Sequence, residues 1–352
     1  MPDPTDLLER ISEHLPAPAF EDLTERRTRK LRRRRTTARA VALGLTGVLI
    51  ATAAVAIRRS NDQGTVAGEV VPIGRSGPAP GGGSVPGGRI AFAVREGNSW
   101  HVATVNPDGS DRMVLTTGVR DYATTWSPDG SMLAFDRDSE DGGGIWVMKA
   151  DGPDLHKLTD GSDSFPRWSP DGTQILFTRY GTRMFAADSS TSYPTSFLWV
   201  VKVDGTLDYQ LTDGDFADVP GTWSSVDGTI AFLRSSADGS GIWTIRPDGS
   251  HPNELVHFEQ LQLDGTPVWS PDGSRLLYPH DDAIWQVDAD GTDPHVLIDA
   301  ATDPSWSPDG AWIAFTRAGD IWIARSDGTD ERRVTSGPEE EIQPTWGPNA
   351  NG

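Results

Sequence analysis

Trp126-Ser127-Pro128-Asp129-Gly130 returns at Trp168-Ser169-Pro170-Asp171-Gly172, at Trp269-Ser270-Pro271-Asp272-Gly273 and at Trp306-Ser307-Pro308-Asp309-Gly310. It is altered at Trp223-Ser224-Ser225-Val226-Asp227-Gly228 and cut short at Trp346-Gly347-Pro348-Asn349. The six Trp stand 42, 55, 46, 37 and 40 positions apart. A unit recurring about every 40 residues marks a repeat architecture.

Each unit carries the same signals in the same order. Pro-Asp-Gly is tight-turn chemistry: Pro presets its φ, Asp bonds its own backbone, and Gly tolerates positive φ. Nine residues after the first five motif Trp an aromatic ends a short apolar run, at Phe135, Phe177, Phe232, Tyr278 and Phe315. Two strands joined by a fixed turn follow. A third strand brings its own Trp, as in Gly144-Ile145-Trp146-Val147, and five residues later comes Asp-Gly, a hairpin signal. Lys157-Leu158-Thr159 and Gln210-Leu211-Thr212 mark a short fourth strand. Four antiparallel strands make one propeller blade.

The count closes at six when the two chain ends share a blade. Arg89-Ile90-Ala91-Phe92 supplies its second strand and Gln343-Pro344-Thr345-Trp346 its first, removing the exposed edge of an open ring. The blade is degenerate, with Ala103 where its third-strand Trp would stand. The expected fold is therefore all-β, a six-bladed β-propeller over residues 89–352. The combination of Trp-Ser-Pro-Asp-Gly, Ile-Ala-Phe, Ile-Trp-Val and Asp-Gly resembles the WD40-like (PD40) repeats of the TolB family. That resemblance implies protein–protein interaction in the cell envelope; the propeller architecture by itself implies no single activity.

Ahead of the repeats the chain changes character. Residues 40–57 carry no charge, and 18 residues at ~1.5 Å each reach about 27 Å, near the hydrocarbon thickness. Nine Lys or Arg lie between Arg26 and Arg39, so a transmembrane helix here leaves residues 1–39 cytoplasmic and the rest outside. A signal peptide has a shorter leader and a shorter apolar core. Residues 58–88, rich in Gly and Pro, read as a flexible linker. Residues 1–59 hold 12 basic and 7 acidic residues, the remainder 19 and 44, a net of −25 outside the membrane. So acidic a domain repels nucleic acid and attracts cations and basic segments. With no Cys there is neither a disulfide framework nor a thiolate metal site.

Two groups of residues are candidates for binding. Five residues before the motif Trp stand Asp121, Asp163, Asp218, Asp264 and Glu341, with Ala301 in the remaining unit. On an innermost strand these carboxylates would ring the channel mouth, holding a cation or a basic peptide end. The competing role is local, each Asp closing a turn between blades. The second group lies in the longest loop between second and third strands, with Tyr180, Arg183, Phe185 and Tyr193. Variable loops on a rigid scaffold are where binding resides.

Other residues receive structural readings. Arg137, Arg179, Arg234 and Arg317, each two positions after a second-strand aromatic, are expected to pair with acids between blades, and His280 takes the equivalent place. The repeated Trp read as packing between blades, whereas Trp100 falls outside the register and is the candidate for an exposed one. Asp136, Asp138, Glu140 and Asp141 are oxygen donors suited to Ca²⁺, and His280-Asp281-Asp282 is a second metal candidate, although neither has EF-hand spacing. No Gly-x-Ser-x-Gly elbow, His-Glu-x-x-His helix or P-loop occurs. The expected function is a non-catalytic, membrane-anchored binding scaffold with an envelope protein or basic peptide as partner. The alternatives are a metal-dependent propeller hydrolase or lyase using the ring carboxylates, and a transmembrane sensor signalling through residues 1–39.

Overall fold

The computed structural model describes residues 87–118, 120–138, 143–186, 192–206, 208–260 and 265–348, and the backbone of Val71–Pro72. Of residues 182–186 and 192–194 the backbone alone is described. The expected transmembrane helix at 40–57 and the cytoplasmic segment at 1–39 lie outside these residues. Among the described residues there is no helix, and so none long and apolar enough to cross a membrane.

The strands group around the motif Trp as the repeats predict. In the Trp126 unit, Asp121–Trp126, Met132–Arg137, Gly144–Lys149 and His156–Lys157 pair in chain order. The Trp269 and Trp306 units repeat that four-stranded antiparallel order, beginning at Val268–Trp269 and Thr302–Trp306. The Trp168 unit (Asp163–Trp168 onward) and the Trp223 unit (Ala217–Trp223 onward) join into one eight-stranded sheet through a single parallel pairing, Ser196 with Ala217. The chain ends meet as expected: Glu341–Gly347 pairs antiparallel with Arg89–Glu96, setting Trp346 opposite Ile90. The first strands of successive units neighbour one another in a closed circuit, so Glu341–Gly347 touches both Thr302–Trp306 and Asp121–Trp126.

One segment departs from the expected linker. Val71–Pro72 pairs antiparallel with Met113–Val114, adding a fifth strand to the outside of the Trp346 sheet.

The core lies between sheets. Phe92, Phe135, Phe177, Phe232 and Phe315 are all fully buried. Each contributes about 2–3 kcal/mol of apolar burial. Clusters combine neighbouring units: Ile90 and Phe92 pack with Trp312 and Ile323, while Ala134 and Ile145 pack with Trp168 and Ile175. Trp100 corrects the sequence reading. It is only 6 % exposed, packed with Ala93 and Ile342 and tilted against Tyr122 at 5.4 Å. The Trp346 unit lacks a Trp at Ala103, and Trp100, three residues earlier, fills a different gap near the Trp126 unit.

The motif turn is held by its own side chains. Asp171 Oδ1 accepts from Ser169 Oγ (2.6 Å), Thr173 N (3.0 Å) and Thr173 Oγ1 (2.9 Å), while Gln174 N donates to Ser169 Oγ at 3.0 Å. Gly172 N donates to the Ser169 carbonyl at 2.9 Å, with Gly172 at φ +70°, where a side chain is strained. The same pattern recurs around Asp129 and Asp272. These bonds favour the carboxylate, so Asp129 and Asp171 titrate below the usual range and Asp272 at about 2. A folded-state pKa below the unfolded value gives stability that is present above the unfolded pKa, near 4, and lost as pH falls through the folded one. Acid unfolding is therefore expected between about pH 4 and 2, the region of Asp272. Replacing Asp129, Asp171 and Asp272 together with Asn should flatten that limb of a Tm-against-pH curve; an unchanged limb would assign acid sensitivity to other groups.

Candidate functional site

Each ring carboxylate that the structure describes is buried. Asp121, Asp163 and Asp218 have side-chain exposures of 0 %. Directly opposite on the second strand of the same unit stand Arg137, Arg179 and Arg234. Arg137 donates Nε to Asp121 Oδ1 at 2.6 Å and Nη2 to Oδ2 at 2.9 Å. Arg179 meets Asp163 with two bonds of 2.8 Å, and Arg234 meets Asp218 at 2.8 and 2.7 Å. These forked pairs use the geometry in which guanidinium and carboxylate match best.

Aromatic rings complete each stack. The Arg137 guanidinium lies 5.3 Å from the Phe135 ring centre and 4.8 Å from that of Trp146. Arg179 sits over Phe177 and Trp199 at 5.1 and 4.5 Å, and Arg234 over Phe232 and Trp243 at 5.1 and 5.4 Å. Cation–π attraction operates at these distances. The arginines thus pair within a unit, which corrects the expectation of pairing between blades. The unit's first-strand acid, second-strand aromatic and third-strand Trp all converge on one guanidinium.

The exceptions follow the same logic. Arg317 faces Ala301 instead of an acid, and turns to Glu331 and to the carbonyls of Asp299 (2.8 Å) and Ala300 (3.3 Å). The Trp346 unit has Val94 where an Arg would stand, and Arg112 reaches in over Phe92 to bond Glu341 at 2.9 Å. His280 stacks on Phe258 with ring centres 4.5 Å apart. Asp264 lies outside the described residues.

Both oxygens of Asp121, Asp163 and Asp218 are engaged by guanidinium groups, which a cation would have to displace to reach them. Arg112 engages only Oε1 of Glu341, and Oε2 is buried without a hydrogen-bond partner among the described residues. Burial pushes the Asp218 carboxyl up while Arg234 holds it down.

The metal candidates are placed elsewhere. Asp281 and Asp282, at φ 51° and 61°, form the two-residue turn between the paired residues His280 and Ala283. Asp138 pairs with Arg120 at 2.9 Å, and Asp136 Oδ1 accepts from Phe165 N at 3.3 Å. Glu140 and Asp141 lie outside the described residues. Among the described residues, no three His, Asp or Glu are grouped to hold a metal ion.

The long loop is a β-ribbon. Gln174–Ala186 and Ser192–Lys202, of 13 and 11 residues, stay paired from Gln174 opposite Lys202 to Ala186 opposite Ser192. The pairing shifts register between Tyr180 and Met184. Arg183, Phe185 and Tyr193 lie in the outer half, beyond the Arg179–Asp163 pair, whereas second strands elsewhere end at that level or two residues past it. Tyr180 lies at its base, where burial pushes the phenol up and nearby Asp136 adds to that.

One group has no signal in the repeat. Arg167 precedes a motif Trp, at a place held by Thr125, Thr222, Val268, Ser305 and Thr345 in the other units. It is enclosed by protein, and burial pushes it down to about 10. Its Nη1 donates to the Pro166 carbonyl at 2.8 Å. Its Nη2 donates at 3.3 Å to Thr266 Oγ1 of the Trp269 unit, passing the Trp223 unit between them. Arg167 thus spans the space that the first strands enclose. Only a charged residue breaking a run of small uncharged ones, Thr, Ser and Val, could have flagged it.

The comparisons with known proteins agree with this geometry. The family model of the dipeptidyl peptidase IV N-terminal region matches residues 280–346. The Tol-Pal system protein TolB of Zymomonas mobilis is 33 % identical over 72 residues, 19 % of this chain and 16 % of that protein. TolB from Acinetobacter baumannii superposes with a TM-score of 0.62 at 18 % identity, over 74 % of this chain and 67 % of that one. The fold is a TolB-like propeller. Its architecture also matches an oligogalacturonate lyase solved in complex with manganese, at a TM-score of 0.50 and 15 % identity, over 71 % of this chain and 74 % of the lyase. At these identities the likeness shows the fold alone, and the sequence match to the curated TolB spans a small part of its length.

Proposed function

We propose that this chain is a non-catalytic binding scaffold of the cell envelope, a six-bladed propeller tethered by a single membrane helix at residues 40–57. The six blades are counted from the strand groups around the six motif Trp. The observation that carries the reading is the ribbon. Paired strands of 13 and 11 residues continue past the level at which neighbouring units turn, on the face with variable loops. Backbone pairing fixes such a ribbon in advance, which lowers the ordering cost of binding. Similarity to TolB, a protein named for the Tol-Pal system, supports an envelope protein as partner. The charge of the extracytoplasmic part favours a basic contact surface on it.

The rival reading, a metal-dependent hydrolase or lyase on the ring carboxylates, has to displace Arg137, Arg179 and Arg234 from Asp121, Asp163 and Asp218, whereas Glu341 keeps one oxygen free of Arg112. A sensor role would run through residues 1–39.

Crosslinking in intact envelopes tests the scaffold. The full-length chain is compared with a Phe185→Ser/Tyr193→Ser variant whose thermal unfolding matches wild type. Capture of a defined envelope protein by the wild type, reduced at least tenfold in the variant, is the expected result. Equal capture by both would remove the ribbon from the interface. Metal-dependent turnover lost on Asp121→Asn would replace the scaffold reading with the enzymatic one.

A further inference from the structure

We propose that Arg167, Tyr180 and Asp136 form an internal recognition site for a single carboxylate group, entering the space enclosed by the first strands from the ribbon face. This site touches the ribbon only at its base, through Tyr180, and goes beyond the scaffold reading.

Three polar groups with incomplete partners meet there. Arg167 uses two of its five N–H groups on neutral acceptors, Pro166 O and Thr266 Oγ1, and no carboxylate bonds it directly among the described residues, Asp136 and Asp303 acting on it only at a distance. Buried cations are normally paired. The Tyr180 hydroxyl is sealed from solvent with the Ser164 side chain as its one near partner, and no hydrogen bond of good geometry joins the two. Asp136 accepts one long bond, 3.3 Å from Phe165 N, at a residue of φ 58° that turns the first strand toward it. Each of the three feels another through space, Asp136 acting on both Arg167 and Tyr180. Protein surrounds Asp136 and Arg167, yet both keep part of their surface open, as a wall of an internal space does.

The donor set selects the ligand. A guanidinium fork binds a carboxylate with two parallel bonds, and the phenol can donate a third. A cation is disfavoured because Arg167 already supplies a positive charge. The groups facing Asp136 are Asp121, which is itself paired with Arg137, and Tyr122, Arg167 and Tyr180. Burial raises Asp136 to about 7, so near neutrality it changes from a repelling carboxylate to a hydrogen-bond donor. An anion beside it binds more tightly below pH 7 than above, with proton uptake on binding.

The probe is 4-fluorobenzoate, titrated into the full-length chain and followed by ¹⁹F NMR, with 4-fluorobenzamide as the neutral isostere. Saturable binding of the acid only, about tenfold tighter at pH 6 than at pH 8, is expected. Arg167→Met should abolish it. Asp136→Asn, nearly isosteric, should retain binding and lose the pH dependence, and this second variant decides the matter if Arg167→Met fails to fold. A tripeptide with a free C-terminus, compared with its amide, tells a chain end from a small acid. Absent binding, equal binding of the amide isostere, or undiminished binding by a folded Arg167→Met variant overturns the site. The Phe185→Ser/Tyr193→Ser variant, altered only in the outer half of the ribbon, leaves this titration unchanged, so its failure and that of the scaffold are told apart.

Discussion

Arg234→Met is expected to destabilise the protein by about 3–5 kcal/mol, the cost of leaving a buried carboxylate without its partner. Asp218 has no exposed side-chain surface and Arg234 only 13 %, so water cannot replace the lost bonds. Met retains much of the apolar packing on Phe232 and Trp243, which isolates the charge effect from a cavity effect. The pH dependence identifies the cause. Burial already pushes Asp218 up, and without Arg234 only the weaker hydrogen bond of Thr212 opposes it. A folded-state pKa above the unfolded value gives stability that is full below the unfolded pKa and lost as pH rises through the folded one. The deficit of Arg234→Met should therefore be smallest near pH 4 and grow toward pH 8. Urea unfolding at three pH values measures it, and a deficit independent of pH would assign the loss to packing. Asp218→Leu/Arg234→Met should recover much of the loss, because apolar replacement of a buried pair is often neutral.

These stacks show which part of the site was legible in the sequence. The spacing of Asp121, Asp163 and Asp218 from the motif Trp identified a repeated job, and the Arg two places after each aromatic identified another. That the two jobs are one depends on register. A first strand running antiparallel to the second sets residue −5 from the Trp against residue +11, a relation that strand geometry fixes and residue type does not. The blade order and the joining of the chain ends were readable because turns, alternation and Trp recur together. Arg167 was not readable as a site residue, because its significance comes from reaching Thr266 across an intervening unit. Trp100 was misplaced for a similar reason. Its surroundings, Ala93, Ile342 and Tyr122, come from three separate strands.

Removal of residues 341–352 is expected to abolish cooperative folding, a larger effect than any single substitution. The strand Glu341–Gly347 closes the circuit: it pairs with Arg89–Glu96 and neighbours the first strands on both sides. Trp346 concentrates that role. Its backbone N donates to Ser305 Oγ at 2.9 Å, its Nε1 to the Gly87 carbonyl at 3.2 Å, and its ring packs with Ile90, Phe92 and Trp312. Trp346→Ala should cost about 3–5 kcal/mol through the cavity and the orphaned contacts. The truncation additionally exposes the paired edge of Arg89–Glu96, a template for association with a second chain. Wild type should unfold in one concerted transition by both Trp fluorescence and circular dichroism. The truncated chain should lose that transition and elute as aggregates. A synthetic peptide of residues 339–352 added during refolding should restore a monomer, because the ring needs the strand and not the covalent bond that delivers it. A truncated chain that stayed monomeric and unfolded cooperatively would show instead that the remaining sheets support one another without closure.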